Sequence, residues 1–134
     1  MSNGLHFTCV SCGDHLHGAY VSLCRNVERT DAISEFAVET TVSDSEQVGT
    51  WCLGCGETGA AQRLTERGIA VIPAETDPRD RLCSRCHGPI VWNADWHVAY
   101  SINEELIEGG SISVVEARSV SPICSACDKQ VGAA

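Results

Sequence analysis

Eight of the nine cysteines of this chain fall into four Cys-x-x-Cys pairs, and this spacing restricts the fold more than any other feature. The pairs are Cys9/Cys12, Cys52/Cys55, Cys83/Cys86 and Cys124/Cys127. Each pair can place two sulfurs on one metal ion, and two pairs complete a tetrahedral shell of four thiolates. Only 5% of the 134 residues are aromatic. A short chain of this composition buries limited apolar area, so metal ions are the expected additional source of stability.

The order of the pairs indicates a tandem duplication. In the first half 39 residues lie between Cys12 and Cys52, and in the second half 37 lie between Cys86 and Cys124. Each interval contains two strand-like segments in the same order, rich in β-branched residues with alternating polarity. We therefore predict a small, mainly β, metal-stabilised fold made of two copies of one unit, each a knuckle, a β-hairpin and a second knuckle.

The first strands of the two copies are predicted at Ala19–Leu23 and Trp96–Tyr100. Val21 and Leu23 correspond to Val98 and Tyr100, and Asn26 and Glu28 correspond to Asn103 and Glu105.

The second strands are predicted to open at Ile33-Ser34 and Ile112-Ser113. Gly109-Gly110 is a hairpin-turn signal in the second copy, and Asp31 stands near the equivalent place in the first. Residues 39–50 are predicted to be an elaborated loop.

The chain is predicted to divide into unit 1 (residues 1–57), a linker (58–79) and unit 2 (80–134). Within the linker, Thr58–Arg67 suits a short helix with Gly68 at its C-cap. Residues 69–72 are predicted to be a strand that Pro73 ends, and Pro78 marks an exposed connection.

The residue after the second cysteine of such a pair often needs a positive φ. Gly13 and Gly56 occupy that position in unit 1, and His87 and Asp128 occupy it in unit 2. With these features the chain resembles the zinc-ribbon class over about residues 6–57 and 80–129. The resemblance implies two structural zinc ions, although the interval between knuckles is longer than in compact zinc ribbons.

Four pairs can be combined into two sites in three ways: sequential, cross-braced or nested. The duplication favours the sequential arrangement, because each copy then closes its own site. Site 1 then consists of Cys9, Cys12, Cys52 and Cys55, and site 2 of Cys83, Cys86, Cys124 and Cys127.

The ninth cysteine and the five histidines are not needed as ligands. Cys24 corresponds to Ser101, so we predict an ordinary, partly buried thiol. The histidines are His6, His15, His17, His87 and His97, and eight thiolates already suffice for two ions. Cysteines can also be buried as small apolar residues or joined in a disulfide framework. The repeated spacing disfavours the first possibility, and the absence of a secretory signal disfavours the second.

No catalytic or cofactor-binding residues are predicted. A shell of four cysteines leaves no open position for substrate or water, and the deaminase, metalloprotease, nucleophile-elbow and P-loop motifs are absent. Residues 54–59 match Gly-x-Gly-x-x-Gly, but no buried parallel strand leads into them, so a dinucleotide site is discounted. Iron in a rubredoxin-like redox module is an alternative to zinc.

The formal charge is −9, and eight of the nine basic residues are arginines, a composition that suggests a GC-rich or salt-adapted prokaryotic source. This charge disfavours general nucleic-acid binding. The run of Arg63, Arg67, Arg79, Arg81 and Arg85 is predicted to be a solvated surface, with nucleic-acid or transcription-machinery contact as the alternative.

The sequence shows neither a targeting signal nor an apolar span, so we expect a cytoplasmic protein. We expect it to be a protein–protein interaction module, and its oligomeric state stays open.

Overall fold

The computed structural model describes residues 8–35, 37–72, 81–90 and 96–132. Within these ranges four strands form one antiparallel sheet in the order β2-β1-β3-β4, accompanied by two helices. The elements are β1 (Ala19–Ser34), β2 (Ala37–Trp51), α1 (Gly56–Glu66), β3 (His97–Glu108), β4 (Ser111–Ile123) and α2 (Ser125–Gly132). The predicted mainly β fold is confirmed. Neither described helix has the length and apolar character needed to cross a membrane.

The hairpin of unit 2 turns where the sequence predicts, and that of unit 1 does not. Gly109 and Gly110 both have positive φ and connect β3 to β4. The prediction for Asp31 is wrong, because Asp31 lies inside β1 opposite Glu39. Strand β1 continues through Ile33-Ser34, which therefore ends the first strand instead of opening the second.

The predicted loop at residues 39–50 is instead part of strand β2. Most of β2 before Val48 is exposed to solvent on both faces, so it lacks the alternation that reveals a half-buried strand. Threonine and valine residues in this segment favour extended backbone, and cross-strand contacts such as Thr30 Oγ1 to Thr40 Oγ1 at 3.0 Å hold the hairpin together.

The predicted linker helix exists but begins two residues earlier, at Gly56. Gly68 has a φ of 75° and follows the helix as expected for a C-terminal glycine. Residues 69–72 are not a strand: the Ile72 carbonyl accepts one backbone bond from Ser121 at 2.7 Å, and no ladder continues. Pro73, Pro78 and Arg79 lie outside the described residues.

The two units pair with each other along β1 and β3. The shift along the chain that matches Val21 to Val98 also exchanges β1 and β3 within their ladder, so each residue pair is matched by an equivalent pair. Cys24 lies opposite Ser101 at the centre of this ladder. Asn103 Nδ2 donates to Cys24 Sγ at 3.6 Å, and Asn26 Nδ2 donates to Ser101 Oγ at 3.1 Å. The sheet therefore has a pseudo-two-fold axis at the Cys24–Ser101 pair. The three-part division of the chain stays a prediction.

Both helices lie on one face of this sheet and form ion pairs that cross the pseudo-two-fold axis. Glu57 of α1 accepts a hydrogen bond from Arg118 of β4 at 2.9 Å. Asp128 of α2 accepts two hydrogen bonds from the guanidinium of Arg25 in β1. Each helix is thus paired with a strand of the other unit.

The opposite face of the sheet carries buried polar groups at equivalent positions. The carboxylate of Glu105 accepts hydrogen bonds from the Tyr20 hydroxyl, at 2.8 Å, and from Ser22. Burial, and then the adjacent Glu105, raise the pKa of Tyr20. At the related position Glu28 lies opposite His97 and accepts a bond from Arg81 at 3.3 Å. Burial, reinforced by Arg81, lowers the pKa of His97 to about 4.

The packing of α1 on β2 predicts a strong effect at Gly59. A Cβ atom at this position would overlap the indole of Trp51, whose side chain is fully buried and cannot move aside. Overpacking costs about 1–3 kcal/mol, which outweighs the roughly 1 kcal/mol that alanine gains over glycine in a helix. We expect Gly59→Ala to lower the free energy of unfolding, measured by chemical denaturation. Gly54→Ala is the control, since a Cβ there meets no atom; equal losses would contradict this packing effect.

Candidate metal centres

Unit 1 brings its four paired cysteines together at one end of the sheet. Cys9 and Cys12 lie in the turn before β1, while Cys52 and Cys55 lie between β2 and α1. Their four sulfur atoms are all within 4.8 Å of one another. This is the sequential grouping that the duplication predicts, and the cluster could hold a metal ion.

Unit 2 forms the same arrangement from Cys83, Cys86, Cys124 and Cys127, again with all sulfurs within 4.8 Å. The Sγ atoms of Cys86 and Cys124 are 3.9 Å apart. Four sulfurs placed tetrahedrally at the zinc–sulfur bond length of about 2.3 Å would be separated by about 3.8 Å. The donor type, number and spacing therefore fit a tetrahedral thiolate site.

The first pair of each unit is a tight turn with equivalent hydrogen bonds. Gly13 N donates to Cys9 O at 2.8 Å, and His87 N donates to Cys83 O at 2.9 Å. Gly13 and His87 have φ values of 81° and 65°, so the predicted left-handed residue is confirmed at both positions.

The second pair of each unit lies at the beginning of a helix. The predicted positive φ is therefore wrong for Gly56 and Asp128, which are helical. The backbone continues into helical hydrogen bonds, from Gly59 N to Cys55 O and from Asp128 N to Cys124 O. A helix N-terminus carries partial positive charge, which favours thiolates beside it. The sequence indicates the first of these helices, predicted at Thr58–Arg67, but not α2, which is short and has little apolar periodicity.

The first knuckle of each unit is also hydrogen-bonded to the C-terminal end of that unit's outer strand, which is β2 in unit 1 and β4 in unit 2. Val10 N donates to Thr50 O at 2.9 Å, and at the equivalent place Ser84 N donates to Pro122 O at 2.8 Å. The clusters therefore join three parts of each unit: the knuckle, the end of the outer strand and the helix.

Within each cluster the thiols differ in acidity. Burial opposes ionisation of Cys9, but hydrogen bonds from Cys12 and Cys52 lower its pKa to about 6. Burial likewise opposes ionisation of Cys83, and backbone donors led by Cys86 lower its pKa to about 6.

The last cysteine of each cluster behaves in the opposite way. Hydrogen bonds with Cys52 and Cys9 raise the pKa of Cys55 to about 12, and burial followed by the neighbouring thiols raises that of Cys127 to about 12. The first cysteine of each cluster is therefore more acidic than the last. A bound cation would allow all four sulfurs to ionise, with release of protons.

The remaining candidates lie outside the two clusters. Cys24 is partly buried as predicted, and all nine cysteines are unbridged thiols. His15, His17 and His87 are exposed, His97 is buried in the sheet, and none belongs to a described metal-binding group. His6 lies outside the described residues.

Two of the three glycines of the Gly-x-Gly-x-x-Gly match have a packing role. Gly56 and Gly59 lie in α1, where their missing side chains admit Val21 and Trp51. Close contact between helix and sheet therefore accounts for these two glycines without a dinucleotide.

Together these observations define a small, mainly β protein with two tetracysteine clusters that could bind metal. No protein-family model, curated protein or solved structure matches the chain.

Proposed function

We propose that this protein is a non-enzymatic adaptor with one structural zinc ion in each four-cysteine cluster, and that it binds another protein through its outer strands. The observation that supports it most is that the two four-cysteine clusters close at opposite ends of the β1–β3 ladder, in one sheet whose outer strands are exposed. Four thiolates complete the zinc shell, so the metal stabilises the fold and has no open position for catalysis. Exposed strand edges offer unpaired backbone donors and acceptors to an extended segment.

Zinc is proposed over iron because both sites fulfil a structural role in this proposal. Iron–thiolate centres absorb visible light, whereas zinc–thiolate centres do not. A cytoplasmic location is part of the proposal, since reducing conditions keep thiols available for metal.

A protein partner is favoured over nucleic acid by the surroundings of the arginines. Arg67 Nη1 donates to the Tyr100 hydroxyl at 3.3 Å, and Arg85 Nη1 donates to the Cys127 carbonyl at 3.2 Å. Arg81 is buried beside Glu28. These guanidinium groups support the fold and contribute little to a phosphate-binding surface. Salt-dependent DNA binding that is lost in Arg63→Glu would instead favour the nucleic-acid alternative.

Native mass spectrometry of the purified chain tests the metal part of this proposal. We expect two zinc ions per chain and a colourless solution. A visible iron–thiolate spectrum in protein isolated without added metal would support the redox alternative, and a folded, metal-free chain would contradict both.

The adaptor part is tested with immobilised, zinc-loaded protein and cell extract. Specific capture should be lost when Val42→Pro and Val114→Pro block the two outer strands, while zinc content is unchanged. Capture that is insensitive to both changes, or turnover of a substrate, would contradict the proposal.

A further inference from the structure

The two outer strands occupy equivalent positions but differ in surface chemistry. Matching Cys52 to Cys124 aligns β2 with β4, and Val42 then corresponds to Val114. Both valines are more than half exposed, at 52% and 58%. They also share a bulge, since the β1–β2 register omits Ser43 and the β3–β4 register omits the equivalent Val115.

Four differences between the strands make β4 less acidic and more apolar. Glu39 and Glu46 of β2 correspond to Ser111 and Arg118 of β4. Thr40 and Ser43 correspond to two apolar residues, Ile112 and Val115, and Val115 is 59% exposed. Strand β2 carries three acidic residues, Glu39, Asp44 and Glu46, and no basic residue. The Ser111–Ser119 segment of β4 carries one acidic and one basic residue. Like charges on facing residues disfavour pairing of β2 with a second copy of itself, so β4 is the edge suited to self-association.

The length of β4 available to another strand is limited at both ends. Ser121 N donates to Ile72 O at 2.7 Å, so residues 69–72 cover the inner end of the strand. The bulge at Val115 interrupts the other end. Between them, no described backbone group outside β3 bonds to β4. The regular free edge therefore runs from about Val115 to Ser119, and its middle residue is Ala117.

We propose that β4 pairs antiparallel with β4 of a second copy of this chain, on a two-fold axis at Ala117. This pairing rests on the proposed function, because it supplies the occupant of one of the two strand edges. A two-fold contact uses the same surface on both copies, so that surface must complement itself. Centring on Ala117 places Glu116 of each copy opposite Arg118 of the other, and opposite charges on facing residues stabilise a strand pair.

The surroundings of Arg118 support this register. Glu57, Glu104 and Glu116 line a shallow cavity with Arg118 at the helix-bearing side of β4. Arg118 and Glu57 are 47% and 72% exposed in their ion pair, so the guanidinium remains accessible. In the proposed register Arg118 of the second copy lies opposite Glu116, so this carboxylate gains a cationic partner from the facing strand.

Charge exchange at Glu116 and Arg118 tests the proposal, with the mass of the zinc-loaded chain measured by light scattering and sedimentation from micromolar to millimolar concentration. Wild type should reach twice the chain mass of 14.3 kDa as concentration rises. Glu116→Arg places like charges opposite each other, as does Arg118→Glu, so each variant alone should remain monomeric. Mixed together they should form a heterodimer, because all facing charges are then opposite.

The matched control is Ser43→Lys on β2, which should leave the dimer intact, whereas the equivalent Val115→Lys, within the proposed paired segment, should weaken it by at least tenfold. Zinc content and circular dichroism check that each variant is folded. A monomeric wild type at all concentrations, or single variants that still dimerise, would overturn the proposal. Neither result affects the metal sites or partner capture, so failure of this inference is distinct from failure of the proposed function.

Discussion

Changing Cys52 to serine is expected to abolish metal binding in site 1 and unfold much of unit 1. Structural zinc contributes an apparent binding free energy of about 10–16 kcal/mol in small zinc domains at neutral pH. A whole domain is stable by only about 5–15 kcal/mol. Loss of one ion therefore removes more stabilising free energy than the rest of unit 1 can supply. The effect extends through the unit because its cluster joins the knuckle, the end of β2 and the start of α1.

Native mass spectrometry and chemical denaturation measure this effect. The sequential grouping predicts one metal ion in Cys52→Ser, retained by the cluster of Cys83, Cys86, Cys124 and Cys127. Cys24→Ser is the matched control, because Cys24 is a partly buried thiol outside both clusters. Two retained ions with unchanged stability, or a similar loss in the control, would show that the thiols of site 1 are not structural ligands.

The grouping of the cysteines was accessible from the sequence because two constraints agree. The pair spacing identifies the candidate ligands, and the repeated order identifies which pairs close together. Neither constraint indicates whether the second pair lies in a loop or on a helix. At Cys55 and Cys127 that depends on how α1 and α2 pack on the sheet, for example through Gly59 and Trp51.

The strands were predictable only where one face is buried. Segments near Val21 and Val98 alternate because they contribute to the core, and both were found in strands. Outer β2 is solvated on both faces and carries no such pattern. Little in the sequence indicates that β1 pairs with β3. The correspondence between the two copies identifies equivalent residues, but it does not show that the copies share one ladder.

Removing the carboxylate of Glu28 is the second change with a large expected effect. Arg81 is only 9% exposed, and Glu28 Oε1 at 3.3 Å is its one described ion-pair partner. Burial raises the pKa of Glu28 and Arg81 opposes that shift, so the carboxylate itself is costly to bury. Breaking a buried ion pair by removing one partner costs about 3–5 kcal/mol, because the remaining charge is uncompensated. We expect Glu28→Ala to lower the free energy of unfolding by about this amount, measured in denaturant at the same metal content as the unchanged chain.

A double variant separates the lost charge partner from lost packing. Replacing both groups, as in Glu28→Leu with Arg81→Met, removes the uncompensated charge, and such replacements are often neutral or stabilising. The double variant should therefore be more stable than Glu28→Ala, and exposed Glu46→Ala should change little. If the double variant were as unstable as Glu28→Ala, the loss would arise from packing. The buried ion pair would then be a consequence of the fold at the start of β3, where Glu28 lies opposite His97, and would contribute little to its stability.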